Sequence, residues 1–383
     1  MAIGTLSIAN NGNTIFGCGA LKQLGAQLDA LGVKRPFVVT DKGIVTAGLI
    51  DNLKEQLVKF TDYHVFEDTP ANPNEVSVNI AAARYIESAA DGIIGFGGGS
   101  SLDLAKATGL RVTHDGPMQK FTTQEQGFKC IGDTPPMIAI PTTAGTGSEV
   151  ARAAVIILAS SEKRIIASPK LVPDVAILDP ELTLGLSPLL TAATGMDAIS
   201  HCIEAILSPI INPTAEAIGL CALTAALGDR ALLKVVDNGA DLNARATMMS
   251  VSTQGAMAFS KGLGAVHAMS HACGKDETLR LHHGTLNAVL LPIVLRLNFE
   301  SVPEKKGVIA SAIGVSENTD IANFFLNLNA DLKLPPNLAR MGITNEMIPE
   351  LAAHAAIDFC NTTNPVRLNS ADYADLFRQA LNI

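Results

Sequence analysis

The sequence predicts an α/β domain followed by an all-α domain. Up to about residue 184, short apolar runs rich in β-branched residues alternate with helical patterns, which is typical of a parallel sheet with helices on both faces. After Ser187-Pro188, a pair that suits the start of a helix, the pattern changes to long stretches of period 3.6. A chain of 383 residues is also long for one core. We therefore predict domains at residues 1–184 and 185–383.

Six segments of the first domain are expected to be strands of the parallel sheet. Each is a short apolar run bounded by polar or turn residues, as buried strands are. They are PFVVTD (36–41), YHVFED (63–68), DGIIGFGGG (91–99), PMIAIPTT (136–143), AAVIILAS (153–160) and DVAILD (174–179). The stretch 179–188 carries proline, glycine and serine and is the expected domain boundary.

The composition argues against several functional classes. A net charge of −9, with no tryptophan and no cluster of basic residues, argues against nucleic-acid binding. The apolar runs are shorter than the roughly 18 residues that cross a bilayer, and the N-terminus MAIGTLSIANNGN lacks the basic and apolar segments of a secretory signal. The six cysteines form no CxxC pair, which favours reduced thiols. We expect a cytoplasmic protein with no membrane partner.

A glycine-rich turn, GFGGGSSLDLAKATG (95–109), follows one predicted strand and opens a helix. Consecutive glycines let a pyrophosphate approach the backbone, and a helix N-terminus offers unpaired N–H groups. Ser100 and Asp103 have the spacing of a capping box. The dinucleotide fingerprint GxGxxG is not met, because Ser100 stands at its last position. A tight turn without a ligand is an equally good interpretation of this segment alone.

Two further segments strengthen the nucleotide interpretation. The loop PTTAGTGSEVA (141–151) follows another strand, and its hydroxyl groups suit phosphate or ribose oxygens. Asp41 ends the first strand, where a carboxylate can accept from a ribose 2′-hydroxyl and repel a 2′-phosphate, which favours NAD over NADP. The alternative, a turn aspartate before Lys42-Gly43, stays open.

The segment Ala265 to Gly284 holds four of the eight histidines. His267 and His271 are four residues apart and share a helix face, and Asp197 and His201 repeat that spacing on another predicted helix. A carboxylate and imidazoles from facing helices suit Fe²⁺ or Zn²⁺, whereas HAMSH lacks the glutamate of a zinc-protease motif. The alternative is a set of polar residues at a helix interface. A dinucleotide and a metal together indicate hydride transfer to or from an alcohol oxygen at the domain seam.

Together these motifs resemble the iron-containing (group III) alcohol dehydrogenase family. The matching segments are GGGSSLDLAK (97–106), PTTAGTGSEV (141–150), DPELT (179–183), TAATGMDAISHCIEA (191–205), VHAMSH (266–271), HHGTLNAVLLP (282–292) and NPVR (364–367). The resemblance implies a Rossmann-like parallel-sheet domain and a helical metal-binding domain. It implies that the metal ligands are Asp197, His201, His267 and His283. It also implies that His271 is a proton relay, and it gives His282 no role.

The resemblance also implies a set of cofactor contacts. They are Asp41, Asn72, Gly98, Gly99, Ser100, Thr142 and Thr143. Two positions depart from the family: Ala151 replaces a threonine, and Arg164 is interpreted as the counterpart of a lysine that reaches the cofactor. In the charged loop 275–281, Lys275 or Arg280 is a candidate for binding a substrate carboxylate, with a solvated loop as the favoured alternative.

The predicted activity is that of a reversible NAD-dependent, metal-dependent alcohol dehydrogenase or aldehyde reductase. Its substrate would be a small primary alcohol, diol or hydroxyacid, and the protein would be a homodimer, as relatives often are. Two alternatives stay open within this architecture: a lyase resembling dehydroquinate synthase, and a hydroxyacid-oxoacid transhydrogenase that recycles its cofactor.

Overall fold

The computed structural model describes residues 12–275, 279 and 281–382, which divide into two compact units. The first unit contains the described residues up to Thr143 together with Gly147–Gly185. The second contains Ala144–Thr146 and the described residues from Leu186 onward. The first is an α/β unit and the second is helical, as predicted.

The described part of the α/β unit contains eight strands and five α-helices. The strands are β1 (Asn13–Phe16), β2 (Pro36–Val39), β3 (His64–Phe66), β4 (Gly92–Gly97), β5 (Met137–Pro141), β6 (Ala153–Ile157), β7 (Lys163–Ala167) and β8 (Val175–Leu178). The helices are α1 (Leu24–Ala30), α2 (Lys42–Thr46), α3 (Leu49–Gln56), α4 (Glu75–Glu87) and α5 (Gly99–Thr113).

Six of these strands form a parallel sheet in the order β1-β8-β5-β4-β2-β3. Successive residues of a strand point to opposite faces of the sheet and pack in different hydrophobic cores. Phe37 and Val39 lie in one core, and Val38 lies in the other. From β2 the chain adds β3 on one side of that strand and then returns to add β4 on its other side. The direction in which successive strands are added therefore reverses between β2 and β4. Open α/β sheets bind ligands at the carboxyl ends of such strands.

Two features of the sheet differ from the prediction. The run 153–160 was expected in the parallel sheet, but β6 pairs antiparallel with β7 in a separate two-stranded sheet. The apolar content of a segment does not show which strand it pairs with. The second strand of this hairpin, β7, was not predicted because it begins with the charged residues Lys163 and Arg164. The edge strand β1 was missed because it is mostly exposed and has no buried apolar run.

The regular secondary structure in the described part of the second unit is all helical. Its α-helices are α6 (Pro188–Leu207), α7 (Pro213–Leu223), α8 (Ala231–Asp237), α9 (Leu242–Ala258), α10 (Ala265–Cys273), α11 (His283–Ser301), α12 (Glu304–Ala312), α13 (Ile321–Asp331), α14 (Ile348–Ile357) and α15 (Ser370–Asn382). Helix α6 begins as predicted, with the Ser187 side chain accepting from the N–H of Leu190. It is buried from Thr191 to Leu207. Within the described ranges, no helix is long and apolar enough to cross a membrane.

Candidate metal centre and nucleotide-binding loops

Three helices of the second unit bring the four predicted metal ligands together. Helix α6 carries Asp197 and His201 one turn apart, α10 carries His267, and α11 begins at His283. The Asp197 Oδ1 atom lies 3.6 Å from Nε2 of His201, 3.8 Å from Nε2 of His267 and 3.6 Å from Nε2 of His283. Ligands of a tetrahedral ion with bonds of about 2.1 Å are about 3.4 Å apart. The ligand atoms of Asp197, His201 and His267 lie within 4.8 Å of one another, and this N/O donor set fits a divalent cation. His283 joins the group through its distance to Asp197.

The electrostatics of the cluster suit a cation. Burial alone would raise the pKa of Asp197, but the surrounding imidazoles hold it well below its usual range. Burial lowers the pKa of His201 to about 4, so this ring is neutral, as a metal ligand must be. Burial also acts to lower the pKa of His267, but Glu204 and Asp197 raise it to about 9. A cation bound here would displace that proton.

Side chains behind the cluster orient the ligand rings. Glu204 lies seven residues after Asp197 on the same face of α6, and its Oε2 atom is 2.5 Å from Nδ1 of His267. Its Oε1 atom accepts from the N–H of Val266 at 2.7 Å. Nδ1 of His283 is 2.8 Å from the hydroxyl of Ser270. Sequence reasoning missed Glu204, although the spacing i, i+4, i+7 in TGMDAISHCIEA was a signal for it.

Asn364, from the NPVR motif, holds the start of α10, the helix that carries His267. Asn364 accepts from the N–H of Ala265 at 3.0 Å, and it exchanges two side-chain hydrogen bonds with Asn298. A Cβ atom at Gly264 would lie 2.6 Å from Oδ1 of Asn364 and 2.9 Å from Oε1 of Glu204, so only glycine fits there. These contacts fix the start of α10, and thereby the position of His267.

His271 lies beside the cluster and has its own partner. Its Nδ1 atom is 3.1 Å from Oδ2 of Asp358, and its ring stacks on His283 with centroids 5.5 Å apart. Cys360 is near the same pair. Burial raises the pKa of its thiol well above the usual value, and a protonated thiol is a poor metal ligand. The geometry suits the proton-relay prediction for His271, and Asp358 is a partner that the sequence did not reveal.

The remaining predictions for this segment have simpler outcomes. His282 caps α11 by accepting from the N–H of Thr285 at 3.3 Å, which gives it a structural role. Nζ of Lys275 lies 2.8 Å from Nε2 of His354 and 3.4 Å from Oε1 of Glu350, which favours the alternative of a loop with its own pairings. Arg280, the other candidate for a substrate carboxylate, lies outside the described residues.

In the α/β unit, the glycine-rich turn forms at the end of β4. Gly97 has φ of +148°, and a Cβ atom there would lie 2.6 Å from the Ser101 hydroxyl. The predicted capping box is wrong. The Ser100 hydroxyl donates to the carbonyl of Ala71, and Asp103 accepts from the Ser148 hydroxyl at 2.6 Å and from the N–H of Val155. Helix α5 therefore starts without a side-chain cap, so its first N–H groups are suited to an anion.

The predicted cofactor residues that follow β2 and β5 lie near this turn. Asp41 accepts from the N–H of Ile44 at 3.1 Å and from the Ser101 hydroxyl at 3.0 Å, so it caps α2 and holds the first turn of α5. The N–H of Thr142 donates to the carbonyl of Gly97 at 3.0 Å. The hydroxyl of Thr142 is buried and has no partner among the described residues. A Cβ atom at Gly98 would be 3.6 Å from Cγ2 of Thr143.

A buried lysine that the sequence did not single out joins two of these segments. Nζ of Lys106 donates to the carbonyls of Ser148, Ala151 and Ala153 at 2.5 to 2.9 Å. It also lies 3.0 Å from the Ser148 hydroxyl. Burial lowers its pKa to about 8, with Asp103 opposing the shift. Lys106 therefore ties the helix after the glycine-rich turn to the second loop and to the first residue of β6.

The β6–β7 hairpin carries the cationic cofactor candidate. Arg164 pairs with Glu162 at 2.6 Å, whereas Nζ of Lys163 donates to Oδ1 of Asn72 at 3.0 Å. Successive strand residues face opposite sides, so Arg164 does not share the side on which Lys163 meets Asn72. Lys163 is thus the better candidate for the cofactor-reaching lysine.

Known proteins match the chain along most of its length. The sequence model described as iron-containing alcohol dehydrogenase matches residues 11–180, and that of the C-terminal region of the Fe-containing alcohol dehydrogenases matches residues 191–381. A 4-hydroxybutyrate dehydrogenase from Cupriavidus necator is 43% identical over 371 residues, covering 95% of this chain and 96% of that protein. A 1,3-propanediol dehydrogenase from Citrobacter freundii is 36% identical over 380 residues, covering 95% and 96%. A crystal structure of 1,3-propanediol oxidoreductase aligns with a TM-score of 0.92 and 33% identity, covering 98% and 100%.

Proposed function

The chain belongs to the iron-containing alcohol dehydrogenase family, and on this premise we propose that it is a metal- and NAD-dependent dehydrogenase of 4-hydroxybutyrate, acting reversibly on the corresponding aldehyde. The convergence of one carboxylate and three imidazoles carries the metal-dependent part of the proposal. The 43% identity to a 4-hydroxybutyrate dehydrogenase over nearly the whole chain supports the choice of substrate.

The four converging side chains would hold the cation, with Asp197 supplying the negative charge. When bound, the cation supplies Lewis acidity toward the substrate oxygen, and NAD supplies the hydride acceptor. Glu204 keeps the proton of His267 on Nδ1, so that Nε2 stays a ligand atom. Asp358 does the same for His271, which leaves its Nε2 atom to accept the hydroxyl proton.

The cofactor would be bound by the loops that follow β2, β4 and β5. The N–H groups of Gly99 and Ser100 at the start of α5 would bind the pyrophosphate, with Gly98 allowing close approach. Asp41 would accept from a ribose hydroxyl through lone pairs not used by Ile44 and Ser101.

The other proposed contacts surround the same turn, and they differ from the sequence prediction at one position. Thr142 and Thr143 would contribute from the second loop, and Asn72 and Lys163 from the segments before α4 and in β7. We place Lys163 in this role instead of Arg164, because Lys163 is on the side of β7 that meets Asn72, another proposed cofactor residue, and Arg164 is on the opposite side.

The decisive test follows NADH at 340 nm on protein stripped of metal and reloaded with Zn²⁺, or anaerobically with Fe²⁺. We expect metal-dependent turnover with 4-hydroxybutyrate, and a lower kcat/KM with 1,3-propanediol and ethanol. Equal rates with all three would reject the hydroxyacid. No net NADH from any alcohol, with metal and NAD shown to bind, would reject the dehydrogenase in favour of the lyase or the transhydrogenase. Light scattering would test the proposed homodimer.

A further inference from the structure

Asn287 is a fully buried amide at the centre of the ligand cluster. It lies on α11 one turn after His283, and none of its surface is exposed. Its Nδ2 atom is 2.7 Å from Oδ1 of Asp197. The same atom is 3.2 Å from Nε2 of His267 and 3.2 Å from Nε2 of His283. The side chain therefore contacts three of the four proposed ligand atoms.

The chemistry of these contacts assigns the two ends of the amide. A carboxylate only accepts hydrogen bonds, so the group 2.7 Å from Asp197 must be the NH₂ end of Asn287. The opposite end, Oδ1, is buried and has no hydrogen-bond partner among the described residues. A buried carbonyl oxygen without a partner costs free energy. Leucine, which has nearly the same size, would fill the space without that cost.

The amide therefore lies where packing alone does not require it. What it contributes is the donor to Asp197, the single anionic ligand of the proposed centre. Groups that hydrogen-bond to ligating side chains fix their orientation and contribute to metal affinity. We propose that Asn287 is a positioning residue of the metal centre, and that its amide nitrogen holds the Asp197 carboxylate in the orientation that binds the cation. This inference rests on the metal centre of the proposed function.

The chain offers a matched control in Asn329. This residue on α13 is also a buried asparagine whose Oδ1 atom lacks a partner among the described residues. Its Nδ2 atom donates to the carbonyl of Ala288 at 2.6 Å, next to Asn287 in the chain. Leucine at either position thus removes one buried amide from the same region, but only Asn287→Leu removes a hydrogen bond to a proposed ligand.

The experiment measures the Zn²⁺ affinity of metal-stripped protein by competition with a chromophoric chelator. We expect Asn287→Leu to weaken Zn²⁺ binding about 10- to 100-fold, as the loss of such partners does, while Asn329→Leu binds as the wild type does. The visible absorption of the Co²⁺-loaded protein should change only in the Asn287 variant. Asn287→Ser is the second variant if leucine prevents folding. Its hydroxyl is too short to reach Asp197, so we expect the same loss.

The outcomes separate this inference from the proposed function. Zn²⁺ affinity within threefold of wild type in the folded Asn287 variant would overturn the positioning role. An equal loss in Asn329→Leu would also overturn it, because the effect would then come from packing. Wild-type protein that binds no Zn²⁺, or Asp197→Ala that binds it undiminished, would overturn the metal centre itself.

Discussion

Replacing Glu204 by glutamine tests whether a buried charge that contacts a proposed ligand contributes to the metal affinity. The carboxylate is 2% exposed and makes two contacts, at 2.5 Å to Nδ1 of His267 and at 2.7 Å to the N–H of Val266. Both partners present a hydrogen. Glutamine has only one acceptor oxygen, so its NH₂ group must face one of them. If it faces His267, the proton of that ring moves to Nε2, which is the proposed ligand atom.

The magnitude follows from the bond that is lost. A hydrogen bond to a buried charged group contributes about 1.5 to 3 kcal/mol, which corresponds to a metal dissociation constant raised about 10- to 150-fold. We expect this loss in Glu204→Gln by chelator competition. The control is Glu216→Gln, which breaks contacts to Lys261 and Lys305 in the same unit but touches no proposed ligand. Unchanged Zn²⁺ affinity in folded Glu204→Gln, or the same loss in Glu216→Gln, would refute the reasoning.

Three further predictions concern the proton relay and the α/β unit. Asp358→Asn should keep the metal but lower kcat about 100-fold or more. Asp358 also accepts from the N–H of Cys360, so the one oxygen of asparagine would serve that N–H and its NH₂ group would face His271, which reverses the tautomer of that ring. Metal content and turnover check this, and lost metal would move His271 into the ligand set. Lys163→Ala should raise the KM for NAD more than Arg164→Ala does, and the reverse order in steady-state kinetics would restore the original prediction. The pKa of Lys106 is lowered to about 8 from its ordinary value of 10.5, so between these values the unfolded chain binds more protons and stability rises with pH. Urea unfolding from pH 7.5 to 10.5 should show this rise, and a rise that persists undiminished in Lys106→Met would contradict it.

The proposed metal ligands were easier to find in the sequence than their partners, for a physical reason. Asp197 and His201 are one helical turn apart, so local periodicity alone puts them on one face. Asn287 contacts Asp197 across 90 residues of sequence, and Asp358 contacts His271 across 87. No local pattern carries that information. The wrong capping box has the same cause. Asp103 fits the local motif, but Ser148 and the N–H of Val155 are its partners in the folded chain.

Because α6, α10 and α11 each carry proposed ligands, the proposed centre depends on how these helices pack. The groups that hydrogen-bond to the proposed ligands also connect helices: Glu204 joins α6 to the start of α10, and Asn287 joins α11 to α6. Removing such a group should weaken metal binding without removing a ligand atom. Metal binding should in turn stabilise the folded chain, by about 2.7 kcal/mol at a free metal concentration 100 times the dissociation constant. A variant of either residue that binds metal less tightly should therefore show a smaller rise in Tm at the same Zn²⁺ concentration. An equal rise in variant and wild type would mean that these contacts only hold the helices together.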